Sequence, residues 1–151
     1  MEKYYYKSTL GIFEIIYEDN SVLSFKPIDK LRSSGKETPF INNIKTQLDE
    51  YFSGKRKVLD IKINPKGTQF QKKVWKELVK IPYGETKSYS EIAKMIDNPK
   101  AQRAVGNACN KNPIMIFIPC HRVISKNGNL TGFAYGIELK AKLLKLENSH
   151  S

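Results

Sequence analysis

Residues 88–113 read SYSEIAKMIDNPKAQRAVGNACNKNP, and their reading decides the fold of the second half of the chain. Ser88 and Glu91 have capping-box spacing, in which a serine hydroxyl and a glutamate carboxylate each satisfy an unpaired amide at a helix start. Ile92, Met95 and Ile96 follow at helical spacing. Asn98 is placed to cap a second helix, with Pro99 in its first turn, where an amide hydrogen would be unpaired anyway. Two short helices with a tight joint make a helix-turn-helix candidate. The second helix carries Ala101, Ala104, Gly106 and Ala108, small enough to let its backbone lie close to a partner. Among them stands one large cation, Arg103. The same pattern also fits a plain helical hairpin with a solvated arginine.

Upstream, Thr68 can cap a helix whose apolar positions are Phe70, Val74, Trp75 and Leu78, ending before Ile81-Pro82-Tyr83-Gly84. Trp75 at this spacing reads as core rather than as a base-stacking platform. Earlier still, GIFEIIYEDNSVLSFKPI (11–28) has two apolar runs around Glu18-Asp19-Asn20-Ser21, a hairpin signal. LRSSGKETP reads as a loop. Phe40, Ile44, Leu48 and Tyr51–Phe52 recur as one helix stopped by Gly54, and KVLDIKIN alternates like a strand up to Pro65-Lys66-Gly67. The fold class is therefore α/β in an α+β arrangement. Residues 1–64 form a small β-rich supporting domain, and residues 65–151 a mostly helical domain with the helix-turn-helix.

Downstream, IMIFIPCHRVIS (114–125) looks like a buried strand that breaks at a proline and sets a cysteine, a histidine and an arginine side by side. A lone cysteine after such a run is usually a small buried hydrophobe. Here Pro119 should turn the chain and lift Cys120 out of a regular strand. His121 and Arg122 supply an electropositive setting that favours thiolate over thiol. Adjacent side chains diverge along a strand, so His121 reaches Cys120 only through a turn or a water. As a base it also needs an orienting carboxylate.

Composition narrows the setting. The chain has 151 residues, 40% of them hydrophobic and 27% charged, enough for one ordinary domain or two small ones sharing a core. No apolar run approaches the ~20 residues of a membrane span, and MEKYYYKSTLG lacks the apolar core of a secretion signal. These features predict a cytoplasmic protein without a membrane partner. Two cysteines, Cys109 and Cys120, make no disulfide framework. With only His121 and His150 beside them, and no paired CxxC spacing, a structural zinc site is disfavoured and no metal is expected. The net charge of +11 is uneven: residues 1–64 carry 11 Lys/Arg against 9 Asp/Glu, and residues 65–151 carry 15 against 6. Such an excess in one half points to a polyanion, nucleic acid first.

Three stretches, GTQFQKKVWKELVKIPYGETKSYSEIA, RAVGNACNKNPIMIFIPCHRVI and GFAYGIELKAKLLKLE, resemble the O6-alkylguanine-DNA alkyltransferases. They occur in the family's order across residues 67–147, and IPCHRV with the upstream RAVG…NP is specific. Residues 1–64 match only in general character. The resemblance implies direct-reversal DNA repair without a cofactor. The alkyl group of O6-alkylguanine, or of O4-methylthymine, would pass irreversibly to Cys120, with the base flipped out of double-stranded DNA by a minor-groove helix-turn-helix.

It also implies roles for individual residues. His121 would act as the base through a water, and Glu147, 27 residues after Cys120, would orient it. Asn112 would tie the helix-turn-helix to the active-site loop, and Tyr89 would protonate or hydrogen-bond the departing guanine. Arg103 would fill the gap left in the duplex, with Ser90, Ala104, Gly106, Ala108 and Arg122 along the DNA. Val123 would offer its carbonyl to the guanine amino group, and Lys140 would lie near the pocket. Ala134 stands where some relatives have a serine hydroxyl, although its amide can still serve the guanine oxygen. Tyr135 stands where many have glycine and would narrow the pocket. The sensor-domain zinc cysteines of some relatives are missing, which implies a stand-alone repair protein and not a transcriptional regulator; a monomer with no obligate protein partner is expected.

Competing readings remain. A non-catalytic lesion binder would have another residue, usually tryptophan, in place of Cys120. A plain helix-turn-helix regulator would show operator preference. A cysteine hydrolase would turn over repeatedly and leave the basic half unexplained.

Overall fold

The computed structural model describes residues 1–128 and 133–151; Gly132, the first residue of the GFAYG stretch, lies outside them. The chain opens with three antiparallel strands, β1 (Glu2–Ser8), β2 (Gly11–Glu18) and β3 (Ser21–Ile28), in the order β1-β2-β3. The turn at Asp19-Asn20 has φ of 51° and 57°, the pair of left-handed residues that matches the twist of a two-residue hairpin. β1 was not foreseen, because Tyr4, Tyr5 and Tyr6 do not alternate. All three are buried because each hydroxyl reaches a carboxylate: Tyr4 to Glu37 at 2.9 Å, Tyr5 to Glu14 at 3.3 Å and Tyr6 to Asp49 at 2.6 Å.

Helix α1 (Pro39–Phe52) is capped by Thr38 and buries Ile41, Ile44, Gln47, Leu48 and Tyr51 on one face. The connector after it is not the strand expected from KVLDIKIN. Only Ile63 bridges to Val22, with amide bonds on either side of it. Its alternating apolar residues line the surface of the domain without a continuous ladder to join.

α2 (Gln69–Val79) starts at the capping box of Thr68 and Gln71 and buries Val74, Trp75 and Leu78. α3 (Tyr89–Met95) starts at the expected box of Ser88 and Glu91. α4 (Gln102–Asn110) begins later than expected. Its N-cap is Ala101 with no side-chain cap, and residues 98–101 instead form the turn, with Asp97 at φ 58° and the Ala101 amide on the Asn98 carbonyl. α3, α4 and α2 pack on one another, and Trp75 Nε1 donates to the Ala108 carbonyl at 2.9 Å.

The IMIFI run is not a strand either. Ile114 pairs with Phe25 of β3, and the chain then reverses so that Met115 bridges Ile118. Ile116 sits at φ 72°, an unfavourable conformation for a β-branched residue. Pro113 and Pro119 bracket this tight turn. Cys120–Arg122 then make a 3-10 turn capped by Pro119, so the proline does lift Cys120 out of regular structure. β5 (Val123–Ile124) pairs in parallel with β4 (Lys87–Ser88), bringing the start of α3 beside the Cys120 turn. α5 (Ile137–His150) closes the chain and turns Lys140, Leu143 and Glu147 inward on one stripe. A single apolar cluster runs through both halves, from Phe13 and Phe25, stacked at 4.8 Å, to Trp75, Ile114 and Leu143.

Candidate active site and nucleic-acid interface

Cys120 is buried and receives a hydrogen bond from Asn112 Nδ2 at 3.0 Å. The same amide donates to the Ile118 carbonyl at 2.8 Å, while Asn112 Oδ1 accepts from the Ile114 amide at 3.0 Å. Asn112 therefore joins the end of α4 to both sides of the reversed turn. Burial pushes the Cys120 thiol up to about 11, although Asn112, the Lys140 charge and nearby backbone amides pull the other way. Burial thus outweighs the electropositive setting expected to favour thiolate, and the cation meant to supply that setting is paired elsewhere.

That cation is Arg122. Its Nε donates to Glu147 Oε1 at 2.8 Å, one terminal nitrogen to Oε2 at 2.9 Å, and the other to the Ile81 carbonyl at 2.7 Å. Arg122 is buried, so its expected role along the DNA is also corrected: a buried guanidinium needs a buried anion, and Glu147 is the one it finds.

Glu147 Oε2 lies 2.7 Å from His121 Nε2 and accepts the Tyr51 hydroxyl at 2.6 Å. Burial alone would raise this carboxyl, but the bonds from His121 and Arg122 hold it well below the usual range. An ionised carboxylate only accepts, so Nε2 carries the proton of the neutral ring. Burial lowers the His121 pKa and keeps the ring neutral, with Glu147 opposing. His121 Nδ1 is buried and has no hydrogen-bond partner among the described residues, which leaves a lone pair able to take a proton.

Lys140 is buried and donates from Nζ to the Val123 carbonyl at 2.6 Å. That carbonyl is thus already engaged, with one lone pair left. Tyr89, the first residue of α3, sits with its ring 5.9 Å from Lys140 Nζ. Ser90 follows it, half-buried. Ala134 is exposed, whereas Tyr135 is half-buried and donates its hydroxyl to the Asn112 carbonyl at 2.7 Å. Tyr135 is therefore tied to the Cys120–Asn112 unit, a link its position in the sequence did not reveal.

On α4, Arg103 and Ala104 are exposed and Gly106 is half-buried. An open cleft of about 710 Å³ runs past Tyr89, Lys100, Gln102, Arg103, Gly106 and Asn107. A Cβ on Gly106 would stand 3.9 Å from the Tyr89 ring, an ordinary contact distance, so this position of α4 lies directly beside that ring. Ala108 does not belong to this surface. It is buried at 2% exposure and packs towards α2, because α4 turns one side to the core. Cys109 is buried on the same side, and burial pushes its thiol up.

Tyr51 is the neighbour of Glu147 that the sequence did not single out. It read as one more apolar position of α1, and no local pattern signals a partner 96 residues away. Among the described residues, no three His, Cys, Asp or Glu side chains cluster to hold a metal ion, and no helix is long and apolar enough to cross a membrane.

Comparison with known proteins adds to this geometry. Residues 69–149 match the DNA-binding domain of 6-O-methylguanine DNA methyltransferase, and residues 1–65 its ribonuclease-like domain. A methylated-DNA–protein-cysteine methyltransferase of Methanosarcina mazei is 59% identical over 111 residues, 74% of this chain and 70% of the relative. A probable methylated-DNA–protein-cysteine methyltransferase of Acanthamoeba polyphaga mimivirus is 44% identical over 148 residues, covering 96% and 95%. Among solved structures, Mycobacterium tuberculosis O6-methylguanine methyltransferase superposes with a TM-score of 0.90 at 37% identity, covering 99% of this chain and 94% of the other. A complex of the same enzyme with DNA gives 0.91 at 38% identity, covering 100% and 95%.

Proposed function

Because the chain belongs to the 6-O-methylguanine DNA methyltransferase family, we propose that Cys120 is the acceptor in irreversible, single-turnover removal of alkyl groups from O6-alkylguanine in double-stranded DNA. The enzyme acts in DNA repair and moves a methyl group from methylated DNA to a protein cysteine. The observation that carries the finer reading is the buried Cys120 sulfur held by Asn112, next in the chain to a histidine whose other nitrogen rests on Glu147.

A thiol at about 11 is protonated at neutral pH, so its proton must leave as the reaction begins. Through a water it passes to the Nδ1 lone pair of His121, and Glu147 stabilises the resulting imidazolium. The sulfur then attacks the alkyl carbon in line. The carbon–oxygen bond breaks, its electron pair stays on the guanine oxygen, and the Tyr89 hydroxyl supplies the proton that makes a neutral base. The product is a thioether with no hydrolysable bond, so the protein is spent after one transfer. O4-methylthymine offers the same electrophilic carbon and is a second substrate.

The reacting carbon is inaccessible inside a duplex, and extruding a base costs a few kcal/mol of unstacking. Arg103, exposed on α4, offsets part of that by entering the vacancy. Ala104 and Gly106 let the helix lie close in the minor groove, with Ser90 beside the flipped nucleotide. The pocket would be walled by Val123, Ala134, Tyr135 and Lys140. Residues 65–151 thus bind DNA and accept the alkyl group, residues 1–64 support them, and the protein works as a monomer.

The test is the intact mass of the protein after mixing with a duplex carrying one O6-methylguanine, beside Cys120→Ser. One methyl gained by the wild type alone, saturating at one per protein, supports the reading. Lesion binding without mass gain replaces it with lesion recognition, and neither leaves only a basic DNA-binding domain.

A further inference from the structure

The relay behind Cys120 is completed from the other half of the molecule. Tyr51 lies in the last turn of α1, and its hydroxyl donates to the Glu147 oxygen that also faces His121. Arg122 supplies the remaining donors, one to each oxygen. Four donors therefore surround a carboxylate with about four lone-pair sites. Tyr51, Glu147 and His121 are each no more than 1% exposed, so bulk water is not in contact with the carboxylate to replace a missing donor.

The placement of Tyr51 is over-determined. The ends of α1 and α5 are in contact closely enough that a Cβ on Gly54 would overlap the His150 ring. The Tyr51 ring stands edge-on to Phe52 at 5.3 Å and to Tyr83 at 6.1 Å. Burial, reinforced by Glu147, raises the hydroxyl well above its ordinary value, so it remains a donor throughout the working pH range.

We infer that Tyr51 is a positioning residue for alkyl transfer: by donating to Glu147 Oε2, it sets how strongly that carboxylate draws a proton onto His121. The inference rests on the reading of Cys120 as acceptor and His121 as base. A hydrogen bond to the charged form of an acid stabilises that form and weakens its pull on a neighbouring proton. Without the Tyr51 donor, the charge on Oε2 falls more fully on His121, the imidazolium becomes easier to form, and the ring holds its proton to higher pH. A base that is already protonated cannot take the Cys120 proton, so the loss appears on the acidic side of the rate profile.

Among the described residues, the charged and titratable groups around this ring are few. Glu147 and Lys140 on α5 and Arg122 of its own turn act on it directly, Tyr51 from α1 and Tyr83 from the α2–β4 connection face Glu147, and Cys120 and Cys109 face Lys140. The Cys120 thiol stays protonated below about 11, and Glu147, held low by its donors, stays ionised. His121 is accordingly the group whose change of state reads out the missing bond.

The experiment compares wild type, Tyr51→Phe and a protein with 3-fluorotyrosine at position 51. It measures the rate of Cys120 methylation by an O6-methylguanine duplex from pH 5 to 9, and the nitrogen-15 shifts of the His121 ring in the free proteins over the same range. In Tyr51→Phe the acidic limb and the ring titration both move up by about half a pH unit or more. At a pH on that limb the variant is then about threefold slower, while above it the variant reacts at least as fast as wild type. The more acidic fluorophenol donates more strongly and moves both curves down. It keeps the test decisive if Tyr51→Phe does not fold. An unmoved limb and ring titration, with only a lowered plateau or melting temperature, would reduce Tyr51 to a packing residue and overturn the inference. A moved ring titration with no methyl on Cys120 in any of the proteins keeps the Tyr51–His121 link and removes alkyl transfer instead.

Discussion

Two seams of this molecule use the same bond, a tyrosine hydroxyl on a carboxylate. Where the N-terminal sheet meets α1, Tyr6 donates to Asp49 at 2.6 Å, and Tyr4 to Glu37, which also holds Lys45 at 2.7 Å. Asp49 and Glu37 are exposed. Where α1 meets α5, Tyr51 donates to Glu147 at the same 2.6 Å, but the carboxylate is 1% exposed and its partners are a buried arginine and a buried histidine. At the first seam, water takes over whatever a lost partner leaves unsatisfied, and each bond stays a local event. At the second, no substitute exists, so each partner fixes the state of the others. Burial, rather than the bond itself, turns a contact into part of a relay.

The largest consequence falls on Glu147. Glu147→Ala leaves the Arg122 guanidinium buried without its anion, and breaking a buried pair in this way costs about 3–5 kcal/mol. It also strips His121 of its orienting acceptor, so alkyl transfer should slow by roughly 10² or more. Urea unfolding and single-turnover kinetics measure the two effects. Asp49→Ala at the outer seam should change stability by no more than about 1.5 kcal/mol and leave the transfer rate alone. Equal costs at the two sites would end the distinction between the seams.

Acid should probe the inner seam next. Burial depresses His121 below its ordinary 6.5, so below that pH the unfolded chain binds a proton that the folded one refuses. Stability then falls as pH drops, with a limiting slope of about 1.4 kcal/mol per unit for one proton. Glu147 has a lowered folded pKa, so its contribution is complete above its unfolded 4.5 and is lost as pH falls further. Both act in the same direction. Unfolding free energies between pH 8 and 4 should bend downward near 6.5, and His121→Gln should remove that first bend. A bend that survives the substitution would assign it to another group.

The sequence showed unequal amounts of these two seams. Capping boxes and apolar spacing revealed α1, α2 and α3, because those signals are local and the core repeats them. The Cys120–His121–Arg122 run and Glu147 were legible because their chemistry is unusual for a core. What stayed hidden was pairing across the chain. Arg122 read as a surface cation because nothing nearby in the sequence announces its anion, and Tyr51 read as apolar filling because its ring does fill the core. IMIFI read as a strand because periodicity cannot separate an extended run from one that reverses at Ile116. β1 was missed because three adjacent tyrosines break alternation, and only the carboxylates they reach explain why all three are buried.

The smallest effect belongs to the outer seam and bears on the inner one. Tyr6→Phe removes a single hydrogen bond from α1 and keeps the ring, which stacks on Phe52 at 6.1 Å. Asp49, already exposed, is rehydrated, so the loss should be about 0.5–1.5 kcal/mol, read as a lower urea midpoint with unchanged slope. Methylation of Cys120 should keep both its rate and its acidic limb. Tyr6 and Tyr51 touch the same helix through the same kind of bond, and only one of them meets Glu147. If Tyr6→Phe moved the acidic limb as Tyr51→Phe does, the response would come from a loosened α1 acting on the whole site. An unmoved limb confines it to the hydroxyl that the buried carboxylate accepts.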